Sequence, residues 1–260
     1  MTLAIGIISN DGLALASDSR ATIGDPRGLT TVNDTVQKIF KITDFCGLAI
    51  AGDGGLAVSI LDNFLWKLKQ EPDYNNFSID QIVDSLRNTC ITKYNDWFPH
   101  LKPAERPVLA MVVCGYRKNM EGKLDAPLIF SLVSLIHFAP STDTMGFAAV
   151  GVVPLAIYLL NRLYTKSDIV LKSAVELAAF CIRETASQDG KVGGELQLAS
   201  FSKDKPFNIY NEKEIEIVKG RCEELRRNLR NPLYAKEEPI VEKSSDAPMN
   251  LPEEKAKDVS

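Results

Sequence analysis

A chain of 260 residues, 45% hydrophobic and 25% charged, has the balance of an ordinary globular protein, long enough for one large core and an appendage. Thirty-four acidic against thirty basic residues leave a net charge of −4 without a basic block, which argues against nucleic acid as a partner. Five cysteines at wide, irregular spacing give neither a zinc pattern nor a disulfide framework, the two histidines lie far apart, and no metal or cofactor is expected.

Met1 and Thr2 lead directly into an apolar run, 3–8, with no basic stretch ahead of it. No signal peptide or membrane span is therefore expected, and the protein is expected in the cytoplasm. Ser9-Asn10-Asp11-Gly12 separates this run from a second, 13–16, and its Asp-Gly pair is a hairpin signal. Neither run alternates, which predicts strands covered on both faces. A polar loop is expected over 23–34, then short strands over 36–42 and 46–51.

The period then changes to helical. Leu56, Ile60, Leu61, Phe64, Leu65 and Leu68 define one helix, and Ser78 with Gln81 opens another in a capping-box pattern. Strands are predicted over 108–114 and 128–135, and a short run over 147–152 leads to Pro154 at the head of a third helix. Ser167 is expected to cap a fourth helix, followed by strands over 195–201 and 206–210 and a highly charged segment, 212–229. Residues 230–260 are rich in Pro, Glu, Lys and Ser and predict a disordered polar tail after a single domain over 1–229. Strands, two helices, strands, two helices and strands suit an α+β fold, two face-to-face sheets with a helix pair outside each.

Several residues could carry chemistry. Removal of Met1, usual before a small residue, would leave Thr2 with a hydroxyl and a free α-amine, a pair able to act as nucleophile and base. Most Met-Thr starts are incidental. Asp18 closely follows the second run, where a solvated carboxylate at a strand end is the ordinary explanation. Lys38 shares a face with Val36 and Phe40 by alternation, and a lysine on an apolar face needs a carboxylate partner, for which Asp18 is a candidate. Gly52 closes the strand before the first helix, where glycine serves a tight turn or lets an N–H approach a ligand.

Together these positions resemble the proteasome β subunits and the simpler bacterial proteasome-like peptidases, N-terminal nucleophile (Ntn) hydrolases that begin with threonine. Gly12, Ala16, Asp18-Ser19-Arg20-Ala21-Thr22, Thr35-Val36-Gln37-Lys38-Ile39 and Ala51-Gly52 match that pattern, with Asp18 sixteen positions after Thr2 and Gly52 fourteen after Lys38. The resemblance implies a four-layer α/β/β/α sandwich and a threonine-type endopeptidase. It makes Thr2 the nucleophile, Lys38 its charged neighbour, Asp18 the partner of that lysine and Gly52 the oxyanion donor. Asp189 matches the aspartate of a distal D-x-x-S-G-G turn. Thr22 matches a position whose backbone pairs with extended substrate, and Ala21, Val36 and Ile50 match pocket-lining positions. Val192 stands where the family has an auxiliary serine, and a second family serine falls among Val152, Val153 and Pro154. The resemblance further implies a homo-oligomeric ring, peptide or unfolded-protein substrates and an ATP-dependent unfoldase as partner. A weakly active structural ring subunit and a small-molecule amidohydrolase or transpeptidase on the same fold are the alternatives.

Overall fold

In the computed structural model, which describes residues 2–24 and 30–234, the chain opens with the expected hairpin. Strands β1 (Leu3–Ile8) and β2 (Leu13–Asp18) pair antiparallel, and the Ser9 N–H donates to the Gly12 carbonyl at 2.8 Å across the turn. Every residue of both strands is buried, as their unbroken apolar character predicts.

A small hairpin follows, β3 (Ala21–Gly24) with β4 (Thr30–Asn33), where the sequence predicted only a polar loop. Next come β5 (Ile39–Thr43) and β6 (Cys46–Gly52), then helices α1 (Gly54–Leu68) and α2 (Ile79–Trp97). Gln81 reaches back to the Ser78 N–H at 2.9 Å, the expected closure at the start of α2. Strands β7 (Leu109–Lys118), β8 (Leu124–Val133), β9 (Ser141–Thr142) and β10 (Phe147–Gly151) precede helices α3 (Pro154–Leu163) and α4 (Leu171–Gln188). The last elements are β11 (Leu196–Phe201), β12 (Asn208–Ile209) and α5 (Glu212–Tyr234).

Two five-stranded antiparallel sheets result, ordered β10-β1-β2-β11-β12 and β5-β6-β7-β8-β9. Ala4, Leu15, Ile39, Ala49, Val112 and Phe201 belong to the core between them. On the outer face of the second sheet, Ile60 and Phe64 of α1 and Ile82 and Leu86 of α2 pack with Leu48 and Met111. On the outer face of the first, Leu160 of α3 and Val175 and Ala178 of α4 pack with Ile5, Ile7 and Leu198. The architecture is the four-layer α/β/β/α sandwich. All five cysteines are free and buried, small apolar fillers as their spacing suggests.

Three local expectations change. The charged segment 212–229 is helix α5, which tucks Val218 and Cys222 into the outer core and runs to Tyr234, across the 229/230 boundary read from composition. Most of the expected tail, from 235 onward, lies outside the described residues. The strand predicted over 36–42 starts at Ile39, which leaves Lys38 just ahead of it. Ser167 does not cap α4. That helix begins at Leu171, whose N–H donates at 2.6 Å to the carboxylate of Asp11 in the first hairpin turn. A carboxylate from a distant turn thus does what a local N-cap side chain normally does. Asp11→Ala should lower stability by about 1 kcal/mol, the usual value of such a cap, measured as a lower urea midpoint at unchanged slope.

Candidate active site

The end of β2 carries Asp18 into the interior, where its side chain is 1% exposed. Buried without partners, a carboxylate would be costly. Its Oδ1 accepts the Leu3 N–H at 2.9 Å, and its Oδ2 accepts the N–H groups of Gly193 at 3.0 Å and Arg20 at 3.2 Å. The ammonium of Lys38, itself 4% exposed, lies 3.3 Å from Oδ2. The carboxylate suspected from alternation is therefore the partner of the lysine.

Lys38 Nζ donates in two further directions, to the Arg20 carbonyl and to Thr2 Oγ1, both at 2.5 Å. Burial pushes the lysine below its ordinary pKa, and the Asp18 charge opposes that shift. Burial raises Asp18 in turn, against Lys38 and its backbone donors. A buried pair of this kind contributes little net stability, because desolvation offsets much of the attraction. Its geometry aims one N–H at a hydroxyl.

Thr2 is held from the other side. Its carbonyl accepts the Val152 N–H at 2.9 Å, just past Gly151, which has φ +97°. A Cβ on Gly151 would sit 1.8 Å from that carbonyl oxygen, so the approach needs glycine. Gly52 is constrained in the same way, with φ +109° and a Cβ that would lie 2.1 Å from the Val108 carbonyl. Gly52→Ala should reduce the yield of soluble protein sharply, since both the backbone conformation and the contact forbid the methyl; expression beside wild type checks this.

A cleft of about 510 Å³ opens over Thr2, Lys38 and Gly52. All four residues expected to touch substrate line it: Ala21, Thr22, Val36 and Ile50. Asn33 and Asp53 also line it, the first from the unforeseen β3–β4 hairpin. Asp189 is placed differently. Its carboxylate accepts the Lys191 N–H within its own turn at 2.8 Å, and it is the turn's Gly193 that reaches Asp18. Val192, 1% exposed, packs in the outer core of the first sheet.

Sequence reasoning also missed two supports. Arg20 grips Asp34 through two hydrogen bonds of 2.8 Å and donates to the Gly190 carbonyl at 3.0 Å, tying the hairpin base to the distal turn. Gln197 on β11 bonds the backbone on either side of Lys38. Its one signal was a glutamine between two buried leucines of a strand.

A family model described as "Proteasome subunit" matches residues 2–124, just under half of the chain and the part that holds Thr2, Asp18, Lys38 and Gly52. Proteasome subunit beta of Methanococcus maripaludis strain C7 is 24% identical over 83% of this chain and 89% of its own length. The chain is thus similar to proteasome subunits, through the family model over its first part and through curated relatives over most of its length. Proteasome subunit beta of Methanococcus aeolicus is 28% identical to this chain, over 83% of it and 90% of the relative. Among solved structures, Anbu from Hyphomicrobium sp. strain MC1 superposes with a TM-score of 0.69 at 18% identity, over 91% of this chain and 98% of that one. That likeness concerns the fold alone. Among the described residues, no helix is long and apolar enough to cross a membrane, and no group of three His, Cys, Asp or Glu could hold a metal ion.

Proposed function

We propose that the chain is a threonine endopeptidase of a proteasome-like ring, with Thr2 as nucleophile once Met1 is removed. The observation that carries this reading is the 2.5 Å hydrogen bond from Lys38 Nζ to Thr2 Oγ1 inside a cleft able to take a peptide. An ammonium donating to the hydroxyl favours its ionised form. The freed α-amine of Thr2, with an ordinary pKa of about 7.7–8.0, takes the hydroxyl proton. Oγ1 then attacks the peptide carbonyl carbon, and the Gly52 N–H receives the oxyanion. Collapse expels the amine product, which takes the proton held by the α-amine, and leaves an ester on Thr2, which water cleaves. Asp18 keeps Lys38 charged and aimed. Ala21, Val36 and Ile50 would offer a modest apolar pocket, and the backbone at Thr22 would pair with extended substrate. Asp189 would serve indirectly, by closing the turn that delivers Gly193.

Intact mass tests the reading first. The mature protein should lack Met1, because a retained methionine locks the Thr2 nitrogen in a peptide bond and removes the base. Ring assembly, an ATP-dependent unfoldase partner and a cytoplasmic location belong to the same proposal. Native mass spectrometry should show a homo-oligomer, and a clean monomer at micromolar concentration would argue against a chamber.

A second reading, a structural ring subunit with little turnover, draws on Val192, which supplies no hydroxyl where the family has a serine. The pH profile separates the two. Turnover by Lys38 requires its ammonium, so activity should fall as pH rises through a lysine pKa below the ordinary value of about 10.4. In Asp18→Asn the charge that raises Lys38 is gone, so the alkaline limb should move to still lower pH. A limb that stays in place would remove Lys38 from the titration.

A further inference from the structure

Lys38 lies one residue ahead of β5, so its own N–H is not part of that strand. Backbone groups at such a depth must find partners, and here a side chain from the other sheet supplies them. Gln197 Oε1 accepts the Lys38 N–H at 2.8 Å and the Ile39 N–H at 3.3 Å. Its Nε2 donates to the Val36 carbonyl at 2.7 Å. One primary amide thus spans the backbone from Val36 to Ile39, in the manner of an added strand. On the other side the Lys38 carbonyl accepts the Ile50 N–H of β6 at 3.0 Å. The lysine backbone is pinned between the two sheets, and the Lys38 side chain leaves that fixed point for Thr2 and Asp18.

We propose that Gln197 is a positioning residue, whose side-chain amide fixes the Lys38 backbone and thereby sets the place of its ammonium at the Thr2 hydroxyl. The proposal rests on the peptidase reading for its effect on rate, but not for its effect on the backbone. Gln197 does not itself line the cleft, though its Nε2 holds the backbone of Val36, which does. It stands on β11, whose neighbour β2 carries Asp18, with Leu196 opposite Asp18 and Gln197 opposite Ser17. The strand that sets the lysine therefore also flanks the carboxylate. Both partners of the ion pair are registered from one strand.

The amide's two ends do different things, which gives the test its design. Gln197→Leu keeps the bulk and removes the acceptor and the donor. Gln197→Glu keeps the acceptor for Lys38 and Ile39 and loses the donor to Val36. Wild type and both variants would be compared by hydrogen exchange and by steady-state cleavage of a fluorogenic peptide. In Gln197→Leu the amides of Lys38 and Ile39 should exchange roughly tenfold faster, the equivalent of one lost hydrogen bond, with β1 and β2 still protected. Its kcat should fall on the order of 10²-fold, as for a misplacement of about 1 Å, with a much smaller change in KM, because every side chain of the cleft lining is kept and only the backbone bond to Val36 is lost. Gln197→Glu should retain the protection at Lys38 and Ile39 and recover most of kcat. Wild-type exchange or wild-type kcat in a folded Gln197→Leu protein overturns the proposal, as does a rise in KM that accounts for the whole loss. If wild type itself has no turnover, the peptidase reading fails, and the exchange comparison alone then decides whether Gln197 holds Lys38.

Discussion

Lys38→Met should give a folded protein whose turnover is down by on the order of 10³-fold or more, the loss expected when one member of a concerted catalytic unit is removed. Methionine keeps most of the buried stem and deletes the ammonium with its hydrogen bonds to Thr2 and Arg20. The obvious risk is stability, since Asp18 would be left without its cation in the interior. Removing one partner of a buried pair costs about 3–5 kcal/mol when the survivor stays charged. Asp18 has two escapes. Three backbone N–H groups already support it, and burial already raises its pKa, so it can take up a proton once the lysine is gone. The protein should therefore fold near neutral pH and gain stability as the pH falls toward the raised Asp18 value. Circular dichroism and thermal melts separate a folded, inactive protein from an unfolded one. Turnover within tenfold of wild type would withdraw the catalytic role of Lys38.

Thr2→Ala should abolish covalent labelling and turnover together. A peptide epoxyketone bonds to both the hydroxyl and the α-amine of an N-terminal threonine, so one adduct per chain reports on both groups. Alanine also permits removal of Met1, and the variant differs only in the hydroxyl and methyl. The Thr2 carbonyl contact with Val152 involves backbone and should persist. The expected result is full occupancy in wild type and none in Thr2→Ala, read by intact mass. A variant that still cleaves peptide would place the nucleophile elsewhere.

What the sequence disclosed about this site depended on distance along the chain. The β1–β2 hairpin was legible because its turn signal and both apolar runs fall within sixteen residues. Asp18 and Lys38 could be paired because a lysine on an apolar face requires an anion. The resemblance supplied Gly52, and the structure supplies its physical reason in a positive φ and the Val108 carbonyl. Gln197 was not legible, since it acts on Lys38 from 159 positions away and glutamine has no preferred pattern. The β3–β4 hairpin was read as loop because its polar residues give no face for periodicity to detect. Helix α5 was missed for the opposite reason: its apolar positions, Ile215, Val218 and Cys222, are outnumbered by charges, though they recur at helical spacing. Val170 begins α4 without a side-chain cap, and Asp11 is not a neighbour in sequence.

The N–H from Gly193 to Asp18 spans 175 positions, and the Gln197 bonds to Lys38 span almost as many. Every group in the cleft precedes residue 56, yet the lysine is fully held only by residues near the far end of the fold. On a ribosome, Thr2, Lys38 and Gly52 emerge early, but the parts that lock them arrive late. A half-made chain would thus carry these residues without their alignment, and whatever chemistry the cleft performs has to wait until synthesis passes β11.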